Sequence, residues 1–336
     1  MSTSTAQPTT SGSQKDAQSS RKQDSFAQRL GRFALDNGAL VGLIVLCIGL
    51  FIATPDFLTI PNFINIGIQA AVVAILAFGM TFVIVTAGID LSVGSVAALG
   101  AMASAFMFSN AGLPGWLTLI IGLLVGLLAG SISGLATAYG KLPAFISTLA
   151  MMSVARGLTL VISDGTPIKT SDAVNTMGGN IGMLPVPIIM MVLAGLVCWF
   201  ILTRTVLGRS MYAIGGNAEA ARLSGLPVRR ILVTVYALSG LFAGLAGMVL
   251  AGRLSSAQPQ AGVAYEMDAI AACVIGGASL AGGSGKASGT LIGAVLLAVI
   301  RNGLNILNVS SFWQQVVIGI VIAVAVGFDV FRSKKS

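Results

Sequence analysis

Asp90, Ser92 and Ser95 stand in the segment Gly88-Ile89-Asp90-Leu91-Ser92-Val93-Gly94-Ser95, in the middle of an apolar run from Ala70 to Phe108. One carboxylate and two hydroxyls beside helix-loosening glycines are groups suited to handling something polar. Lipid cannot satisfy free backbone groups. Irregular backbone at membrane depth is therefore tolerated only where it is buried in protein or lines a wet cavity. Ionisable residues in such segments are functional candidates by default. The same residue types also make an ordinary loop between two helices. Asp90 has two readings of its own: a pathway residue, or the N-cap of a helix beginning near Leu91. Gln69, Asn302 and Asn305 are further polar groups in or beside apolar spans, and complete the candidate pathway.

These residues need a membrane scaffold, and the composition supplies one. Apolar residues make up 55% of the chain and charged residues 9%, against roughly 25% charged in a soluble domain. The net charge of +8 is not gathered into a nucleic-acid face. The basic residues sit between apolar segments, as topology determinants do. There is no His, and Cys47, Cys198 and Cys273 have no paired spacing. That argues against zinc, haem and a disulfide framework, so neither metal nor cofactor is expected. Residues 1–36 are polar at the start and lack the features of a signal peptide. They are expected to form a disordered cytoplasmic tail.

Ten apolar segments of spanning or half-spanning length lie near 37–53, 64–86, 96–109, 116–139, 142–162, 184–203, 230–252, 266–280, 288–307 and 313–331. The short ones, 96–109 and 266–280, adjoin Gly/Ser-rich breaks and read as half-helices or re-entrant segments. The expected fold is an all-α polytopic membrane protein of about ten transmembrane helices, some of them broken. The membrane domain is 37–331, with a polar loop at 204–230 and a cytoplasmic tail at 332–336. With the N-terminus inside, fifteen of the 19 Lys and Arg fall on the cytoplasmic side. Only Lys169 and Arg253 fall outside, and Arg156 and Arg301 lie within spans. This bias puts both termini in the cytoplasm.

Gly122, Gly126, Gly130 and Gly134 make a stripe that allows close helix approach, within one subunit or between two. A shift of 189 residues aligns Gly88, Leu91, Gly94 and Ser95 with Gly277, Leu280, Gly283 and Ser284, an echo of the kind found in transporters with paired broken helices. Gly282-Gly283-Ser284-Gly285-Lys286 imitates a phosphate loop. It has Leu280 and Ala287 where that motif needs Gly and Ser or Thr. Between Thr203 and Arg230, Glu219-Ala220-Ala221-Arg222-Leu223-Ser224-Gly225 predicts a short helix ended by Gly225 and Pro227. It suits docking onto a soluble partner, or is simply a solvated loop.

Glu-Ala-Ala, three residues and Gly, at 219–225, resembles the coupling motif of permease subunits in bacterial ATP-binding-cassette importers, without the usual Ile-x-Leu-Pro ending. The segments Ala87–Ser95, Gly208–Asn217, Arg253–Pro259, Tyr265–Ala272 and Gly276–Gly283 resemble signatures of the monosaccharide permeases, above all those of ribose importers. The resemblance covers roughly 38–330. It implies a cytoplasmic ATPase subunit docked at Glu219, Ala220, Ala221, Arg222 and Gly225, a periplasmic sugar-binding protein, a second copy of the chain, and the bacterial inner membrane. D-ribose is the implied solute, with other pentoses, hexoses or polyols open. Two other classes stay open: an ion-coupled secondary transporter, and an intramembrane enzyme, for which no nucleophile–base pair is found in the spans.

Overall fold

Ile60–Val85 carries no charged residue, and from Ala70 onward only Thr81 interrupts an apolar circumference, which is the pattern of a helix with no solvent face. The computed structural model describes Ser2 and residues 38–333, and in it this helix is the central post: Ala70 to Val85 are all buried. We number the helices α1 Gly38–Ala53, α2 Ile60–Val85, α3 Val93–Ser109, α4 Gly115–Ala138, α5 Ala144–Ser163, α6 Asp172–Gly178, α7 Val186–Arg204, α8 Val206–Gly216, α9 Ala218–Leu223, α10 Val228–Leu254, α11 Tyr265–Ile275, α12 Ala287–Ile306 and α13 Ser311–Ser333. Six of them, α2, α4, α5, α7, α10 and α12, are long and apolar enough to cross a membrane. Among the described residues the protein is all-helical apart from two small antiparallel pairs, β1 (Ile168–Lys169) with β4 (Ser256–Ala257), and β2 (Asn180–Ile181) with β3 (Leu184–Pro185).

Each of the ten apolar segments contains a helix. Three short polar helices, α6, α8 and α9, are added where the sequence suggested loops or a single short helix. Each begins at a side-chain cap: Ser171 Oγ accepts from Val174 N–H, Thr205 Oγ1 from Gly208 N–H, and Asn217 Oδ1 from Ala220 N–H. Of the two expected half-helices, α11 has 11 residues and is one by length. α3 has 17, about 25 Å, and comes close to a full crossing. α13 runs to Ser333, two residues into the expected tail. The expected disordered segment 1–36 and residues 334–336 lie outside the described residues.

Close packing radiates from α2 and α10. Phe82 and Phe242 meet edge to face at 5.6 Å. Thr81 Oγ1 and Thr290 Oγ1 are 2.8 Å apart, tying α2 to α12. Cys273 Sγ donates to Ala77 O at 3.2 Å, and Cys198 Sγ to Phe78 O at 3.7 Å, so both buried thiols serve as core hydrogen-bonding groups. The glycine stripe of α4 packs within the subunit. A Cβ on Gly126 would collide with Gly240 O, one on Gly130 with Tyr236 O, and one on Gly240 with Gly126 O. α4 and α10 thus touch backbone to backbone.

The two breaks share a helix ending. At the end of α2, Ala87 N–H donates to Ile84 O and Gly88 N–H to Val83 O, with Ala87 at φ 60°. At the end of α11, Gly277 N–H donates to Val274 O and Ala278 N–H to Cys273 O, with Gly277 at φ 88°. Both are left-handed C-caps of the Schellman type. They match Ala87 to Gly277, one residue out of the register in which the sequences align.

The stripe yields a test. Gly130→Val should lower the melting temperature of the purified protein and its membrane level, because overpacking a tight core costs about 1–3 kcal/mol. Gly157→Ala has nothing within 4 Å of its new methyl group. It should be neutral or stabilising, since Ala outdoes Gly in a helix by about 1 kcal/mol. Thermal melts in one detergent check both.

Candidate functional site

The Gly88–Ser95 break is buried in protein, and its polar groups are matched to one another. Asp90 Oδ1 accepts from Ser92 N–H at 2.9 Å and from Ser92 Oγ at 2.6 Å. Ser239 Oγ of α10 donates to Asp90 Oδ2 at 2.8 Å. Ser95 Oγ donates to Ser92 O at 2.8 Å, and Thr148 Oγ1 of α5 to Ile89 O at 3.3 Å. Asp90, Ser92 and Ser95 are each 1% exposed. Asp90 is thus not the N-cap residue itself, which is Ser92. It closes an Asx-type turn two residues ahead and holds α10 against the break. This closeness is why position 88 is glycine: a Cβ there would stand 2.6 Å from the Tyr236 hydroxyl oxygen.

Gln69 lies elsewhere. It lines a cavity of about 170 Å³ between α2, α10, α11 and α12, with Arg253, Tyr265, Asp268 and Arg301 as the other polar members. Val73 and Leu297 form part of the apolar wall. Arg301 donates to Asp268 Oδ2 at 2.6 Å, the carboxylate side chain being 4% exposed and the guanidinium 32%. Arg253 reaches Ile68 O at 3.5 Å. Among the described residues, neither the Gln69 amide nor the Tyr265 hydroxyl bonds a protein group.

Asn302, one position from Arg301, is buried and turns away. Its Nδ2 donates to Asn62 Oδ1 at 2.7 Å, and its own Oδ1 has no partner among the described residues. Asn305 is exposed and accepts from Gln314 Nε2 at 3.2 Å. The six candidate pathway residues therefore divide among four places: the break, the cavity, the Asn62 contact and the end of α12.

Sequence reasoning passed over Arg156, Asp268 and Arg301 as site residues. A signal is present in the sequence, for Arg156 and Arg301 are charges within apolar spans. Arg156 Nη1 donates to Pro259 O at 2.7 Å and Ala261 O at 2.9 Å. It pins the irregular segment 258–264, which leads into α11 and passes so close to α3 that a Cβ on Gly94 would strike Gly262 O.

The charged segment after α7 folds as α8 and α9, nearly contiguous through Asn217. Glu219 and Arg222 form a two-bond ion pair on the exposed face of α9 at 2.5 and 3.0 Å. The guanidinium holds the Glu219 carboxyl below the ordinary carboxylate range. Ala220 is exposed, and Ala221 is buried against the bundle. Gly225 at φ +84° ends α9, its N–H donating to Arg222 O and Leu226 N–H to Ala221 O. α8 is anchored below: Gly215 packs on Val85 O, and Tyr212 OH donates to Gly285 O at 2.7 Å. Gly283 N–H donates to Val85 O, and a helix, α11, precedes this glycine loop where a phosphate loop follows a strand. One cluster thus joins the base of α8–α9, the end of α2 and the α11–α12 break.

Comparison with known proteins supplies the lineage. Residues 62–326 match the family described as the permease component of the branched-chain amino acid transport system. The chain is 46% identical to the ribose import permease protein RbsC of Haemophilus influenzae over 313 residues, 91% of this chain and 97% of that protein. It is 49% identical to RbsC of Bacillus subtilis over 316 residues, covering 91% and 94%. The L-arabinose transport system permease protein AraH of Escherichia coli is 40% identical over 306 residues, covering 90% and 93%. The chain belongs to this family of transport-system permease components, multi-pass membrane proteins of which it has the apolar helices from α2 to α13.

Proposed function

We propose that this chain is the permease subunit of an ATP-driven importer that carries D-ribose across the bacterial inner membrane into the cytoplasm. The observation that carries the reading is identity of 46–49% to two ribose import permeases over nine-tenths of the chain. The 40% identity to an L-arabinose permease makes another monosaccharide the second reading. An ion-coupled secondary transporter works alone, whereas this family consists of components of larger systems.

In this reading the ten apolar helices cross or partly cross the membrane with both termini in the cytoplasm, as the Lys/Arg asymmetry argues. The membrane domain is 37–331, flanked by cytoplasmic tails at 1–36 and 332–336. A periplasmic binding protein delivers sugar to the outer mouth. A cytoplasmic ATPase docks on 204–230, with Glu219, Ala220, Arg222 and Gly225 in its groove; Ala221, expected there from the sequence, is buried and instead seats α9 on the bundle. Two copies of the chain form the pore. The ends of α2, α10 and α12 that surround Gln69 then face outward. Asp90, Ser92 and Ser95 form a pivot in the pathway wall, and Asn302 and Asn305 lie toward the outer end of α12. Movement of the ATPases reaches α2 and the α11–α12 break through the Gly215 cluster.

Labelled-sugar uptake by a deletion strain, complemented with this gene and its partner genes, tests the substrate. D-ribose uptake should be restored, and restoration of a different sugar alone would refute the ribose assignment. Mass measurement of the complex in nanodiscs should find two copies of the chain, and a single copy would count against the pore.

Docking is tested by charge reversal. The double variant Glu219→Arg/Arg222→Glu keeps an intrahelical pair, worth about 0.2–0.5 kcal/mol, but inverts the exposed face. It should fold normally yet lose ATPase co-purification and uptake. Gly225→Ala forces a methyl group into left-handed backbone at a cost of about 1 kcal/mol and should re-aim α9, reducing both. Normal pull-down by both variants would make this segment a solvated loop.

A further inference from the structure

The bonds within the Gln69 cavity leave a particular set of groups free. Arg301 and Asp268 neutralise one another at 2.6 Å. The Arg253 guanidinium is exposed and rests on a backbone carbonyl. What remains is an amide that both donates and accepts, a hydroxyl on an aromatic ring, and the unused capacity of a carboxylate and a guanidinium. Val73 and Leu297, one turn from Gln69 and Arg301 respectively on the same helices, supply part of the apolar lining.

Stability does not account for this lining. Replacing a buried ion pair by well-packed apolar residues is often neutral or stabilising. In an apolar bundle the simpler solution is a filled core. Here the volume of about 170 Å³ is kept open, many times the roughly 10–15 Å³ that one water requires on the same measure. That is room for a small organic molecule rather than a single water. Gln69 with Val73 and Arg301 with Leu297 are each one helical turn apart, so donors and acceptors sit directly beside apolar surface. That mixture complements a polyol, whose hydroxyls need both kinds of partner and whose C–H groups need neither. An inorganic anion calls for donors alone, and a lipid chain for no polar group at all.

We propose that this cavity, inside a single subunit, binds a neutral monosaccharide, with Gln69, Tyr265 and the Asp268–Arg301 pair as its hydrogen-bonding residues. The proposal rests on the reading of the chain as a sugar permease and adds a binding step within the membrane subunit to it. The site then has a say in sugar selection, beyond that of the separate binding protein.

The test uses the assembled transporter in proteoliposomes, and wild-type D-ribose uptake is measured first. Gln69→Cys is placed in a Cys47→Ser background, the other two cysteines being buried. It is labelled with a water-soluble thiol reagent in the presence of D-ribose, sucrose or D-ribonate. D-ribose should slow labelling severalfold and sucrose should not. Gln69→Leu and Tyr265→Leu should each cut D-ribose uptake about tenfold per assembled complex, the scale of one lost hydrogen bond to substrate. They should also change the ratio of D-ribose to L-arabinose uptake, which a merely structural role would leave alone. Asp268→Asn strands Arg301 and risks misfolding, so the Gln69 and Tyr265 variants decide. If wild-type vesicles take up ribose while labelling ignores it and both variants transport normally, the cavity proposal falls and the permease reading stands. Protection by D-ribonate alone overturns the neutral-sugar class. Protection by D-ribose in vesicles that do not take it up supports the cavity and refutes the ribose-import reading.

Discussion

Every N–H and C=O that leaves a helix inside this apolar bundle must find a partner within the protein, because hydrocarbon offers none and each orphan costs several kcal/mol. The irregular segments obey this one group at a time. Ile89 O is met by Thr148, Ser92 N–H by Asp90, Val85 O by Gly283, and the carbonyls of Pro259 and Ala261 by Arg156. Polar residues that look isolated in the sequence are mostly the answers to these demands. Asp90 is the clearest case. Its three hydrogen bonds let α2 stop and α3 start within the bundle while α10 stays docked.

Small residues do the complementary work. Where lipid is as apolar as leucine, helices gain by fitting closely, and glycine permits the closest approach. The α4–α10 contact is backbone on backbone over three turns, and α3 joins it through Gly100, whose added Cβ would press on Gly122 O. Side chains cannot interdigitate there, so the contact is made by backbone atoms. The Gly215 cluster is different. It rests on a few hydrogen bonds and tight turns where three chain segments meet, and it connects α8–α9 to the two breaks.

The charges separate into two kinds. Arg156 donates from Nη1 to the carbonyls of Pro259 and Ala261 and serves the backbone. Asp268 and Arg301 bond each other, and their cavity keeps polar groups with no protein partner. The contrast follows from geometry: Arg156 faces irregular chain with unmet carbonyls, whereas Arg301 lies among helices whose backbone bonds are already made.

The sequence by itself determined the class of the protein and nearly all its helices. Runs of apolar residues long enough to span a bilayer leave the chain no other economical structure than helices, and Gly, Pro and Ser mark their ends. The α9 helix was legible for the same local reason, from Glu219 to its end at Gly225 and Pro227, while its Asn217 cap was not. Tertiary structure alone decided which polar residues share a site. Gln69, Arg253, Asp268 and Arg301 are far apart in the chain, and Asn302 turns away from the cavity although Arg301, its neighbour, lines it. On a helix one step in sequence is about 100° of rotation, so adjacency says little about company. The glycine stripe was visible as a surface, but its partner was not, because a smooth face fits any other smooth face until the whole bundle is closed.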